Sequence, residues 1–347
     1  MVTFIVSTYA LPSWLELALR SLQSQDCSDW KALVIGDACG PETKSVIAAL
    51  NDERFQYINL PERMGEQAGP NSVGLALAEG SHIAFMNHDD VLLPDHLSIA
   101  LATMETEKTN FFVGRAAVAW GMLEYPSLGN VPNFEWITPK GRKPYETFKR
   151  SHLLFEPCSS WVVERTLALR IGAWRSSLLG HRASIQEWLM RAWRSDACFS
   201  FDAPLTVLRF NKQFATASGS YSESIAPPKW FDACLNASAR QTRGQINCIR
   251  AGRQRDRKLG LPRPLPKGVL GRTASYLMVN RLAANLYRHT GFDGFEIVHT
   301  LIRSRKGALG AKLSQSRTGF DLTRAPSIPE MIERISTKKC SHSKEEE

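Results

Sequence analysis

No run of apolar residues in this 347-residue sequence is long enough to cross a bilayer, so no membrane-spanning helix is expected. The seven cysteines stand singly at 27, 39, 158, 198, 234, 248 and 340, with no C-x-x-C pair and no histidines at zinc spacing. That pattern excludes a zinc finger or ribbon and leaves reduced thiols, mostly small core residues. No G-x-G-x-x-G follows a strand and no G-x-x-x-x-G-K-[ST] occurs, so dinucleotide and P-loop phosphate binding lack the glycine turns they require. The opening MVTFIVSTYALPSW has no basic leader and is broken early by proline, so it reads as a mature start and a cytoplasmic location is expected.

What is present is a globular composition, 43% hydrophobic, with a net charge of +9 that is unevenly spread. Residues 1–228 carry 20 Lys and Arg against 24 Asp and Glu, a net of −4; residues 229–317 carry 18 against 4, a net of +14. The chain therefore divides into a domain over 1–228 and a basic helical region over 229–335. Residues 336–347 are polar and are expected to be a disordered tail.

Within the first part, apolar runs at 2–7, 30–36, 54–60, 81–87 and 110–118 read as strands. Helical patterns follow the first four, two of them opened by Pro12 and Pro94. Residues 120–150 read as a long polar loop, 158–165 as a strand, Ile185 to Trp193 as a helix and Pro204 to Phe210 as a strand. The alternation predicts an α/β fold with right-handed βαβ units, a mostly parallel sheet and helices on its faces. Residues 1–118 would be the half that meets a ligand beyond the strand ends, and 119–228 a second half.

That edge rule brings together Thr8 and Tyr9, Asp37, and the stretch Asn87-His88-Asp89-Asp90. Two adjacent carboxylates repel, and a cation is the simplest compensation. Oxygen ligands of this kind suit Mg²⁺ or Mn²⁺, which take one or two protein carboxylates and share the rest of the shell with phosphate and water. The competing reading is a helix N-cap, at Asp90 or Asp95.

The motifs also occur in a recognisable order. Ser7-Thr8-Tyr9-Ala10 resembles the Pro-Thr-Tyr-Asn of the family 2 glycosyltransferases, and Gly36-Asp37-Ala38-Cys39 their Asp-Asp-Gly-Ser. Asn71, Gly74 and Ala78-Glu79-Gly80 fit their Asn-x-Gly and alanine-rich helix, and Phe85-Met86-Asn87-His88-Asp89-Asp90 resembles Phe-Leu-Asp-x-Asp-Asp. Further on, Gly172-Ala173-Trp174 and Gln186-Glu187-Trp188 are similar to the Gly-Gly-Phe/Trp turn and the Glu-Asp-Trp of the catalytic helix. The resemblance runs to about residue 210.

It implies the GT-A fold and an inverting transfer of a sugar from a nucleotide-sugar donor, with a UDP-sugar expected, to a hydroxyl of a glycan or lipid-linked acceptor. Carried over, Thr8, Tyr9, Asp37, Arg63, Asn71, Asn87 and Asp89 would line the nucleotide-sugar site, Asp37 facing the base. Asp89 and Asp90 would hold the metal, and Glu187 would be the general base. A GT-A scaffold that binds without turnover is the alternative, motivated by Ala10, Gly36, Asn87 and Glu187.

Each residue has a structural competitor. Thr8 and Tyr9 could be a strand-to-helix turn, Asp37 a cap of the helix after Pro41, Arg63 a solvated charge, and Glu187 an i,i+4 partner of Arg191. His88 and His181 read as ordinary polar residues, with contact to an acceptor the alternative for His181 in its Gly-flanked loop, and Trp120 and Trp136 as core or sugar-stacking rings. In the basic region, residues 240–258 place arginines around Ile246, Cys248 and Ile249. Such a helix suits an anionic membrane surface, at the inner face of the cell membrane, or a solvated face packed on the domain. Aromatic interleaving is missing, so no nucleic acid is expected.

Overall fold

The computed structural model describes residues 1–126, 129–137, 157–201, 203–210, 226–258, 287–291 and 306–342. Its main sheet has seven strands, and the first four strands and three helices follow the predicted alternation: β1 (Val2–Thr8), α1 (Pro12–Gln23), β2 (Trp30–Gly36), α2 (Pro41–Ala49), β3 (Phe55–Asn59), α3 (Ala68–Leu77) and β4 (His82–Asn87). Strands β4, β1, β2 and β3 lie side by side and parallel, with Ser7 opposite Asn87 and Thr8 opposite Gly36. This puts the carboxyl ends of β4, β1 and β2 on one edge.

Every residue of β1 is buried, as expected of a central strand covered on both faces. Its period of two sorts the core. Ile5 joins Leu33, Ile35 and Phe85 on one face, while Val2, Phe4 and Val6 join Val34 and Met86 on the other. Helix α3 reaches β1 closely because Gly74 has no side chain; a Cβ there would collide with Ile5.

The strand expected over 110–118 is two strands in two sheets. β5 (Asp90–Leu92) and α4 (His96–Glu107) come first, and then β6 (Phe111–Val113) stays in the main sheet. At Gly114 the chain leaves it, the Gly114 N–H donating to Ser160 O at 2.7 Å. β7 (Arg115–Tyr125) then enters a second sheet, paired with β8 (Gly129–Ile137). The long polar loop expected from 120 is thus a β-hairpin as far as Ile137, with Val131, Pro132 and Phe134 paired to Leu123, Met122 and Ala119 of β7; 138–156 lie outside the described residues.

The strand expected at 158–165 is shorter. Cys158–Ser160 is a 3₁₀ turn, β9 is Trp161–Glu164, and Arg165 begins α5 (Arg165–Ile171). α6 (Ser184–Arg194), β10 (Phe199–Ser200) and β11 (Leu205–Phe210) complete this part, β11 pairing with β5 and β7 in the second sheet.

The basic region folds onto the domain. α7 (Lys229–Leu235) and α8 (Ala239–Lys258) place Phe231, Cys234, Ile246 and Ile249 in a core shared with Trp14, Leu208 and Phe210. The apolar stripe of α8 is therefore spent on packing, while Arg240 and Arg250 remain exposed. α9 (Ala308–Thr318) and α10 (Ile328–His342) follow, and Met331 and Ile335 join the core under α3. The boundary drawn at residue 228 does not separate two cores among the described residues. The tail expected to be disordered is helical through 336–342, and 343–347 lie outside the described residues. Among the described residues no helix is long and apolar enough to cross a membrane, and Cys27, Cys39, Cys158, Cys198, Cys234 and Cys248 are free thiols.

Candidate functional site

Three strand ends converge at the edge. The Asp37 N–H donates to Thr8 O at 2.9 Å, and the Tyr9 N–H donates to His88 Nδ1 at 3.1 Å, so β2, β1 and β4 are stitched together just past their last residues. Both turns use a left-handed alanine, Ala10 with φ 48° and Ala38 with φ 53°. Alanine carries a steric penalty in this region that asparagine or glycine avoids.

Asp37 is buried, and both its oxygens are engaged. Oδ1 accepts from Met64 N–H at 2.6 Å and Oδ2 from Gly65 N–H at 2.9 Å. It does not cap α2, whose N-cap is Gly40 without a side-chain bond. Its role in the fold is to hold the loop that follows β3, and each oxygen keeps a second lone pair for a ligand.

Burial pushes the Asp37 pKa up from 3.8 to about 6, against the opposing pull of the two N–H groups and Arg63; Glu66 adds a small upward push. Its stabilising contribution is therefore fully present below about pH 4 and is lost as pH rises through about 6. Thermal unfolding of the parent and Asp37→Asn from pH 4 to 7 is expected to show the parent's advantage shrinking as pH rises. A constant gap contradicts this.

The acid pair is built differently from a bare metal site. Asp90 starts β5 opposite Arg209 of β11 and is fully buried. Its Oδ2 accepts from Ser159 Oγ at 2.5 Å and from Asn87 Nδ2 at 2.9 Å. Arg209 lies 3.7 Å from Asp90 and 3.9 Å from Asp89. Burial raises the Asp90 pKa, Arg209 opposes it, and the Asp89 charge adds to the rise.

A protein cation, Arg209, thus offsets the repulsion for which the sequence reading called on a metal. Arg209 was missed there; its signal is a lone charge inside the apolar strand LTVLRF. The capping alternative fails too. Asp95 occupies the N-cap of α4 without a side-chain cap bond and pairs instead with Arg243 at 2.6 Å.

The residues still fit a divalent ion. Asp90 Oδ1 is buried with no hydrogen-bond partner among the described residues, a costly state for a carboxylate oxygen. No group of three or more His, Cys, Asp or Glu side chains that could hold a metal is found among the described residues. Magnesium needs only one or two carboxylates when a diphosphate completes its shell.

Two further side chains at this edge have buried polar atoms without hydrogen-bond partners among the described residues. Asn71 on α3 is completely buried, and neither its Oδ1 nor its Nδ2 has a hydrogen-bond partner among the described residues. Arg63 is not a solvated charge, since its guanidinium lies 3.8 Å over the Tyr9 ring. Its Nε and Nη2 are buried without hydrogen-bond partners among the described residues. Thr8 is buried in β1, and Tyr9 presents a ring face rather than only a turn.

Glu187 sits in the first turn of α6, held there by a set of stacked tryptophans. Trp188 lies 5.9 Å from Trp161 and 5.5 Å from Trp174, with interplanar angles of 16°, and its Nε1–H donates to Gly172 O at 2.9 Å. The Glu187 carboxylate accepts twice from Arg191 Nε, at 2.8 and 3.0 Å, and lies 3.3 Å from Arg175. Arg191 in turn donates to Ala173 O at 2.7 Å and to Ile171 O. The i,i+4 ion pair is thus realised, and it pins the turn between α5 and α6. His88 and His181 are buried. The side chains of Trp120 and Trp136 lie outside the described residues.

The chain matches the model of Glycosyl transferase family 2 over residues 3–172. It is 36% identical over 97 residues to the GalNAc(5)-diNAcBac-PP-undecaprenol beta-1,3-glucosyltransferase of Campylobacter jejuni, covering 27% of this chain and 31% of that one. It is 25% identical over 131 residues to the UDP-Glc:alpha-D-GlcNAc-diphosphoundecaprenol beta-1,3-glucosyltransferase WfaP of Escherichia coli, covering 36% and 52%. Its fold is similar to that of S. aureus TarS 1-349 in complex with UDP-GlcNAc, with a TM-score of 0.50, 16% identity, and 91% of this chain and 81% of that one covered. The chain spans between 24% and 58% of the length of the curated relatives it matches.

Proposed function

Given that residues 3–172 are a family 2 glycosyl transferase domain of GT-A type, we propose that this chain is a metal-dependent, inverting glycosyltransferase. It moves a sugar from a UDP-sugar to a hydroxyl of a glycan or lipid-linked acceptor, as in bacterial surface polysaccharide synthesis. The observation that carries this reading is the unpartnered, buried Oδ1 of Asp90, beside Asp89 where β4 and β1 end. The names of two relatives support it: both are glucosyltransferases whose names include undecaprenol-linked acceptors, and one includes UDP-Glc as donor.

Asp89 and Asp90 would hold Mg²⁺ or Mn²⁺, which when bound neutralises charge on the leaving diphosphate, an effect worth several kcal/mol. Thr8, Tyr9, Asp37, Arg63, Asn71 and Asn87 bind and orient the nucleoside diphosphate. The unpartnered Asn71 amide offers one donor group and one acceptor. Glu187 takes the proton from the acceptor hydroxyl as that oxygen attacks the anomeric carbon from the face opposite the diphosphate. A single displacement inverts the centre, whereas retention would need a second carboxylate beneath the sugar. To act as base, Glu187 shares its lone pairs with, or exchanges them from, Arg191 and Arg175.

Glu187→Gln is expected to lower transfer by ~10²–10⁴-fold with nucleotide affinity unchanged, measured with a panel of UDP-sugars and polyprenyl-diphosphate-linked acceptors. Transfer at the parent rate would remove Glu187 from the mechanism. The two arginines on Glu187 favour a second reading, a scaffold that binds nucleotide-sugar without turnover. That reading predicts donor binding with no transfer in the parent chain. A peripheral place at the inner face of the membrane accords with a lipid-linked acceptor and the exposed Arg240 and Arg250. Absence of flotation with anionic liposomes at low salt would discard it.

A further inference from the structure

The segment from Gly307 to Phe320 lies outside the matched domain yet touches both rims of the site. At one end the Gly307 N–H donates to Gly180 O at 2.9 Å, on the turn that leads into α6 and Glu187. At the other, the Ser314 hydroxyl is directed at Gly65 O, 3.2 Å away, and at Phe320 O, 3.1 Å away. The Phe320 ring lies directly on the Gly65 backbone. Gly65 has φ 73°, and a Cβ there would collide with the ring, so both conformation and space require glycine.

Gly65 is the residue whose N–H is bonded to Asp37, and its neighbour but one, Arg63, is clamped between two rings. The Arg63 guanidinium lies 3.8 Å from the Tyr9 centroid and 4.8 Å from the Phe320 centroid. Within that sandwich Nε and Nη2 are buried and have no hydrogen-bond partner among the described residues. Buried cationic donors without an acceptor are costly, and an arriving oxygen would relieve that cost.

We propose that Phe320 is a positioning residue for the donor: it holds Arg63 flat against Tyr9 so that the free guanidinium N–H groups meet oxygens of the nucleoside diphosphate. The proposal rests on the reading that this edge binds a nucleotide donor. It makes the nucleotide site a joint product of the N-terminal domain and a C-terminal segment.

The test is isothermal titration of the full chain with UDP, GDP and dTDP in the presence of Mn²⁺, for the parent, Arg63→Gln, Phe320→Leu and the double variant, each checked for folding by thermal unfolding. Each single substitution is expected to weaken UDP binding about tenfold. The double variant should be no weaker than either single one, because both act through one guanidinium. Phe320→Tyr, which keeps a ring, should bind like the parent. Parent-like UDP affinity in Phe320→Leu, or in Arg63→Gln if the leucine variant does not fold, overturns this inference alone, and so do additive losses. A parent chain that binds none of the three diphosphates overturns it together with the donor-site reading.

Discussion

Asp90→Asn is expected to cut sugar transfer by roughly 10³-fold, the equivalent of losing about 4 kcal/mol of charge stabilisation on the leaving diphosphate. Asparagine is the informative replacement because it keeps the shape. Ser159 and Asn87 retain a polar partner at 2.5 and 2.9 Å, since a hydroxyl can accept and an amide can turn. Alanine would instead leave two buried polar groups and part of the Arg209 charge without compensation, and so confuse a folding defect with a catalytic one. The variant should keep the parent's unfolding temperature to within a few degrees while losing the rate, measured by release of UDP from a UDP-sugar in the presence of acceptor. Rates within a few-fold of the parent would show that Asp90 serves the fold, through Ser159, Asn87 and Arg209, and not the reaction.

The largest effect on stability is expected at Trp188. The ring is fully buried, stacks on Trp161 and Trp174, meets Phe85 edge-on at 5.2 Å, and bonds Gly172 O. Trp188→Ala removes this packing and leaves a cavity between the main sheet and α6, with an expected loss of about 4 kcal/mol in denaturant unfolding. Trp188→Phe should cost less, because a ring still fills much of the space, leaving a smaller packing loss and the lost bond to Gly172 O. Glu187 is the residue just before it on the helix, so a loosened α6 should also impair transfer even where the protein folds. A loss below about 1 kcal/mol would mean that α6 is held elsewhere, chiefly by Arg191 and its carbonyl partners.

Much of this was legible in the sequence. The β-branched and aromatic run at 2–7, the proline at the start of α1 and the strand-helix rhythm gave the parallel core and therefore the edge. The acid pair stood out as a candidate because two carboxylates interrupt an apolar stretch there, and Asn71 only through the family resemblance. The second sheet was not readable: Phe111 to Val118 is apolar apart from the Gly114-Arg115 step, and that step alone does not mark the point where the chain changes sheets. Nor was the partner of a charge. Arg209 neutralises Asp89 and Asp90 from more than a hundred positions away, and Arg63 and Phe320 meet from opposite ends of the chain. Pairing at that separation is decided by tertiary packing, which local periodicity does not encode.

The central claim is that Asp89 and Asp90 present a divalent ion to the diphosphate of a nucleotide donor. Isothermal titration of the full chain with UDP, with and without Mn²⁺, bears on it most directly. The account predicts binding that strengthens at least tenfold with the metal in the parent and shows no such gain in Asp90→Asn. UDP affinity indifferent to Mn²⁺, with Arg209 and Arg63 alone sufficing for the phosphates, would contradict it.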